Sequence, residues 1–116
     1  MSWDDAVWLT EPLDVAALLP VPRRWRRYDH QDFTCWQFDG ERWLINVCDC
    51  EPVGDLAEVP DRVRQLLPGV GYLISIGMEP ISPSRAAWDF LNRVIAALAT
   101  RSHGLGFDVF TDQPIS

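Results

Sequence analysis

Lysine is absent from this chain, and all ten basic side chains are arginine. An all-arginine set fits GC-rich coding as well as selection for bidentate pairing, so it decides little. No apolar run approaches the roughly 20 residues that a membrane-crossing helix requires. The stretch "MSWDDAVW" has neither the positive n-region nor the apolar h-region of a signal peptide. Cytoplasmic location with no membrane contact is the expectation. Internal repeats and low-complexity segments are missing too. Positive charge is short: 17 acids stand against ten arginines, a formal net charge of −7. That balance opposes binding of nucleic acid or anionic lipid through net charge and suits a basic protein partner. Cysteine is sparse and odd in number. Cys35, Cys48 and Cys50 read as reduced thiols.

What is present suffices for one domain spanning residues 1–116, with 47% apolar residues and six tryptophans to build a core. "AVWLTEP" reads as a short strand and "LDVAALLP" as one or two helical turns stopped by Pro20 and Pro22. "FTCWQFDGERWLINVCDC" carries two strand-like runs around Asp39-Gly40, a dipeptide suited to a type I′ turn. That turn predicts Phe38 opposite Glu41 and Trp36 opposite Trp43. Thr34, Trp36, Trp43, Ile45 and Val47 then share the core face, and Phe33, Cys35, Gln37, Arg42, Leu44, Asn46 and Cys48 share the other. "DRVRQLL" follows as a short helix with Val63, Leu66 and Leu67 on one side, and "GYLISIGM" as a strand. Ser82 and Pro83 suit the start of a long helix, "PSRAAWDFLNRVIAALATRSH", whose apolar face holds Ala87, Phe90, Leu91, Val94 and Leu98. Gly104 suits its C-cap, and "LGFDVF" reads as a closing strand. The order β-α-β-β-α-β-α-β predicts an α+β domain: a mostly antiparallel sheet with helices packed on one face, loosely ferredoxin-like.

Catalytic chemistry finds little footing. There is no G-x-S-x-G and no glycine loop to cradle a phosphate. Zinc needs four ligands; "CDC" sets Cys48 and Cys50 on one strand face, with Cys35, His30 and His103 as the other soft candidates. In the predicted register Cys35 lies opposite Leu44, on the order of 13 Å from Cys48 along the strand, and His30 projects to the opposite face. Neither a catalytic residue, a metal nor a cofactor is therefore expected. Two alternatives remain: a metal- or thiol-dependent enzyme using Cys48, Cys50 and a histidine, and a nucleic-acid-binding module using Arg23, Arg24, Arg26 and Arg27. Without that arginine cluster, 17 acids face six arginines, a balance of −11. The cluster therefore reads as an edge segment whose guanidinium groups pair with the domain's own carboxylates and stack on Trp25 or Tyr28.

The succession "DVAALL", "CWQFDGERWLINV", "GYLISIGMEP", "AAWDFLNRVIAALATRSHG" and "LGFDVFTDQ" resembles small cytosolic immunity proteins, which protect bacteria from their own polymorphic or secretion-system toxins. Several such families end in an Asp-Pro-Gln-like turn, approximated here by Thr111-Asp112-Gln113-Pro114. The resemblance covers most of the chain as topology and implies action by binding. The expected partner is a cognate toxin domain, neutralised by occlusion of a basic active site, without nucleic acid. The expected contact surface is the acidic segment with Asp49, Glu51, Asp55 and Glu58, anchored by Val53 and Leu56.

Overall fold

Apolar residues at every second position of "YLISIGME" build the strand around which the sheet is organised. In the computed structural model, which describes residues 3–80, 84–108 and 113–114, this strand is β6 (Tyr72–Glu79). One of its edges pairs with β1 (Trp3–Leu9). The other pairs with β4 (Leu44–Cys48) and then β5 (Glu51–Pro52). With β2 (Trp25–Asp29), β3 (Thr34–Asp39), β7 (Leu105–Asp108) and β8 (Gln113–Pro114), the sheet order is β2-β3-β4-β6-β1-β7-β8. All of these pairings are antiparallel. The inner run β4-β6-β1-β7 has the ferredoxin-like arrangement, and β2 and β3 extend it on one side. The domain is α+β.

Alternation decides which face each residue covers. Val7, Leu9, Ile45, Val47, Ile74, Ile76 and Met78 line one face, buried beneath α1 (Val15–Leu18) and α3 (Arg85–Ser102). From α3 come Ala87, Leu91, Val94, Ile95 and Leu98. Ser84 caps the helix, its Oγ accepting from the Ala87 N–H at 3.3 Å; Ser82 and Pro83 lie outside the described residues. At the other end His103, not Gly104, takes the left-handed cap conformation, with φ 55°. Gly104 is needed for closeness instead: a Cβ there would stand 2.6 Å from Leu9 Cδ2 and 2.8 Å from the Trp8 carbonyl oxygen.

The helices do not all lie on that face. Ala6, Trp8 and Phe107 project the other way and meet Val59, Val63 and Val70, so α2 (Asp61–Leu66) covers one end of the opposite face. Apolar side chains on both faces of β1 require cover on both sides. Leu66, expected to join Val63 and Leu67 there, is exposed.

The hairpin keeps its predicted faces but not its predicted turn. Phe38 pairs with Ile45 and Trp36 with Val47, so the chain reverses at Glu41-Arg42, two residues later than expected, with Arg42 at φ 63°. The cause is packing. Gly40 lets the Trp43 indole lie across its backbone, where a Cβ would meet Trp43 Cε2 at 2.0 Å. From there Trp43 stacks on Phe38 at 5.7 Å between centroids, and Phe90 of α3 stacks on Phe38 at 4.3 Å. Trp25 completes the group, 5.4 Å from Phe38 and 6.1 Å from Phe90, and its Nε1–H donates to the Pro20 carbonyl at 2.6 Å. A two-residue shift preserves strand parity, which is why the core face survives the error. Trp36 and Trp43 are not cross-strand partners.

Three substitutions test this packing through stability. Phe38→Ala should cost about 3–4 kcal/mol, while the half-buried Trp43→Ala should cost about 2 kcal/mol. Between Pro20 and Pro22, Val21 holds a left-handed φ of 51° that suits glycine rather than a β-branched residue. Val21→Gly should therefore leave stability unchanged or raise it by up to about 1 kcal/mol. Chemical denaturation midpoints at fixed m-value check all three.

Candidate binding surface

The acidic segment begins at a bulge. Val47 pairs with Ile76 and Glu51 with Leu73, so four steps on one strand answer three on the other. One extra residue at Asp49-Cys50 inverts the alternation. Cys48 therefore faces the side that α1 and α3 leave uncovered, beside Asn46, Ser75 and Gly77, while Cys50 packs against the α1–α3 core. The expectation of Cys48 and Cys50 on one face fails for this reason. The later turn also corrects the other thiol distance: Cys35 stands directly across from Cys48. His30, whose N–H donates to the Phe33 carbonyl at 2.8 Å, continues the β2–β3 ladder on the face of Tyr28 and Cys35, not on the opposite one.

Beyond the bulge the segment is only partly loop. β5 ties it to β6, and the Val53 N–H donates to the Gly71 carbonyl at 2.8 Å. Val53 is half-buried against Val59, Val63 and their neighbours, so it belongs to the domain's own interior. Asp55 accepts from the Ala57 N–H at 2.9 Å and caps a 3-10 turn at Leu56–Glu58. Leu56 is 56% exposed, which leaves it free as an anchor. Glu51 and Glu58 are exposed, and Asp49 is half-buried, accepting from the Cys50 N–H at 2.8 Å.

Asp49 and Glu51 share their end of the sheet with the tip of the β2–β3 hairpin. A depression of about 340 Å³ is lined by His30, Gln31, Asp32, Phe33, Thr34, Asp49, Cys50 and Glu51. Three carboxylates and no arginine border it, and Phe33, 44% exposed, stacks on His30 at 4.4 Å. Asp32 and Phe33 were not among the expected contact residues because their nearness to Asp49 depends on how three strands pair. The signal was there: Gln31-Asp32 is a polar dipeptide between two runs that alternate. Asp55, Leu56 and Glu58 are not part of this depression's lining.

The arginine cluster is occupied locally, as its neighbours imply. Arg26 pairs with Asp39, Arg27 Nε donates to Asp29 Oδ1 at 3.0 Å, and Arg24 lies 4.9 Å over the Phe38 ring. Hydrogen bonds from Gln37 and then Arg26 hold the Asp39 carboxyl below its ordinary range. Thr34 and then Arg27 do the same for Asp29.

The chemistry open to the thiols is set by burial. His30 and Cys50 both border the depression. Burial pushes the Cys50 thiol up, a bond with the Leu13 backbone pulls it down, and Asp49 and Glu51 raise it again. Burial likewise raises Cys35, and burial followed by Cys35 and Glu51 raises Cys48. An activated cysteine needs the reverse, a thiol shifted down by positive surroundings. Among the described residues no group of three or more His, Cys, Asp or Glu side chains stands close enough to hold a metal ion. No described helix is long and apolar enough to cross a membrane. A depression of about 570 Å³ bordering the hairpin turn is lined by Asp39, Gly40, Arg42, Trp43, Leu44, Glu79 and Pro80, with neither thiol nor imidazole. Comparison with protein-family models, with curated proteins and with solved structures found no match.

Because Asp39 is depressed in the folded state, its stabilisation is present above the unfolded value of about 3.9 and is lost as pH falls through the folded value. Asp39→Asn should therefore lower the denaturation midpoint at pH 7. The gap between variant and parent should close below about pH 4. A second titration checks the thiols: alkylation of the native protein should be slow at pH 7 and accelerate only at a higher pH than for an exposed cysteine.

Proposed function

We propose that this protein is a non-catalytic binding domain of the cytoplasm that neutralises a basic protein partner, a cognate toxin domain, by covering its cationic active site. The observation that carries this reading is the carboxylate-bordered depression formed by Asp32, Asp49 and Glu51, flanked by the exposed ring of Phe33. A basic side chain seated there meets negative charge on both sides, and the aromatic ring offers apolar contact at the edge. Leu56 and Glu58 extend the same segment as a second point of contact. The balance of −11 outside the arginine cluster adds long-range attraction for a cationic partner. Arg26, Arg27 and Arg24 are engaged by Asp39, Asp29 and Phe38, which argues against their use as a nucleic-acid surface. The ordering of elements that resembles bacterial immunity proteins supports the choice of a toxin as partner.

Co-expression with the product of the adjacent gene, scored by cell survival, is the direct test. Protection should require the acidic surface: Asp32→Arg with Glu51→Arg should slow association about tenfold or more and weaken protection. Arg24→Ala with Arg26→Ala should change association by less than about twofold. Association should also slow as salt rises past physiological strength, where the Debye length is about 8 Å. Equal survival with and without this protein, beside a neighbour shown to be toxic, would refute the pairing. Protection lost only with the arginines would move the interface to the other side of the hairpin.

A further inference from the structure

The shifted turn has set Cys35 and Cys48 face to face on adjacent antiparallel strands. Their place in the ladder is fixed by two bonds on either side. Gly40 N–H donates to the Trp43 carbonyl at 2.8 Å, and Asp49 N–H donates to the Thr34 carbonyl at 2.9 Å. Bonded and non-bonded pairs alternate along an antiparallel ladder, so Cys35–Cys48 is a non-hydrogen-bonded pair. At such positions the Cα atoms approach to about 4.5 Å. A disulfide closes over a Cα separation of roughly 4.4–6.8 Å. The two thiols are on the sheet face that α1 and α3 leave uncovered, with Cys48 half-buried and Cys35 9% exposed. The nearness is felt electrostatically, since Cys35 contributes to raising the Cys48 thiol. Cys50 is removed from the group because the bulge turns it to the α1 side.

We propose that Cys35 and Cys48 are a reversible redox site, a cross-strand dithiol that a small disulfide such as glutathione disulfide converts to an intramolecular S–S bond. Cys48, the more accessible thiol, loses its proton to solvent and attacks one sulfur of the reagent. The reagent's S–S bond breaks, one glutathione leaves as thiolate and is protonated, and a mixed disulfide remains on Cys48. The Cys35 thiolate then attacks Cys48 Sγ, and the second glutathione departs and is protonated. The protein has lost two electrons and two protons, and the reagent has become two thiols. This site is independent of the proposed toxin contact and stands or falls by itself.

The full-length protein is incubated with glutathione disulfide, denatured, alkylated, cleaved with trypsin and analysed by mass spectrometry. Cleavage after Arg27, Arg42 and Arg62 separates Cys35 from the peptide that carries both Cys48 and Cys50. The expected result is a protein about 2 Da lighter, those two peptides joined, and alkylation confined to Cys50. Dithiothreitol should separate the peptides and restore three alkylated cysteines. In Cys35→Ser the glutathione adduct should accumulate on Cys48. The proposal is overturned by three free thiols after prolonged incubation, by a bridge between Cys48 and Cys50, by disulfide-linked dimers, or by a stable adduct in the parent protein. Peptide mapping of the parent protein decides the matter even where the variant fails to fold.

Discussion

The stack of Trp25, Phe38, Trp43 and Phe90 is the contact on which the rest of the architecture turns. The inner run of four strands has its own interior from Val7, Ile74, Ile76 and the apolar stripe of α3. The β2–β3 extension lies beyond that interior and needs its own attachment. Phe90 supplies it, reaching from the helix to Phe38 at 4.3 Å, with Trp25 and Trp43 on either side. Such pairs contribute about 0.5–1.5 kcal/mol each beyond the area they bury. The local consequences run outward from this group. Trp43 must lie over Gly40 to join it, and the reversal therefore falls at Glu41-Arg42. That register brings Cys35 opposite Cys48 and carries the strand on to the bulge at Asp49-Cys50.

Much of the fold could be read from residue patterns because alternation and helical periodicity report burial directly. "YLISIGME" and the Ala87, Leu91, Val94 and Leu98 stripe occupy the places their spacing predicts. Faces survived even where pairing did not, since a two-residue slip moves partners without turning side chains over. Asp39-Gly40 misled because a glycine can serve a turn or a close approach, and sequence alone does not separate the two. The bulge was invisible for a different reason: a single extra residue leaves composition unchanged and only inverts parity after it. Cover on both faces of β1 was legible in "AVWL", whose consecutive apolar residues exceed what one buried face requires. Of the residues around the carboxylate-bordered depression, Asp49 and Glu51 could be singled out from charge alone. Phe33 and Asp32 could not, because their nearness to Asp49 depends on the pairing of three strands.

The charges divide by role rather than by sign. Asp39 and Asp29 are consumed within the extension, each holding an arginine and a neutral donor. Asp55 is consumed by the 3-10 turn it caps. Asp32, Glu51 and Glu58 are exposed, at the β2–β3 hairpin tip, in the short strand β5 and in the 3-10 turn that follows it. In a chain of net charge −7, Arg24, Arg26 and Arg27 are thus engaged within the extension while Asp32, Glu51 and Glu58 remain exposed.

Among the described residues β2 terminates the sheet on one side, and the strand order places no neighbouring strand along its outer edge. Such an edge is a template on which another extended chain can add itself, and proteins commonly guard it with charge. Here Arg26 and Arg27 occupy successive positions of that strand and point to opposite faces, with Arg23 and Arg24 in the turn before it. A second copy approaching in antiparallel register would bring guanidinium groups against guanidinium groups, and like charges placed directly opposite are repulsive. Charge concentrated on this border opposes the addition of a further strand, a constraint on association that falls on the arginines rather than on the acidic surface.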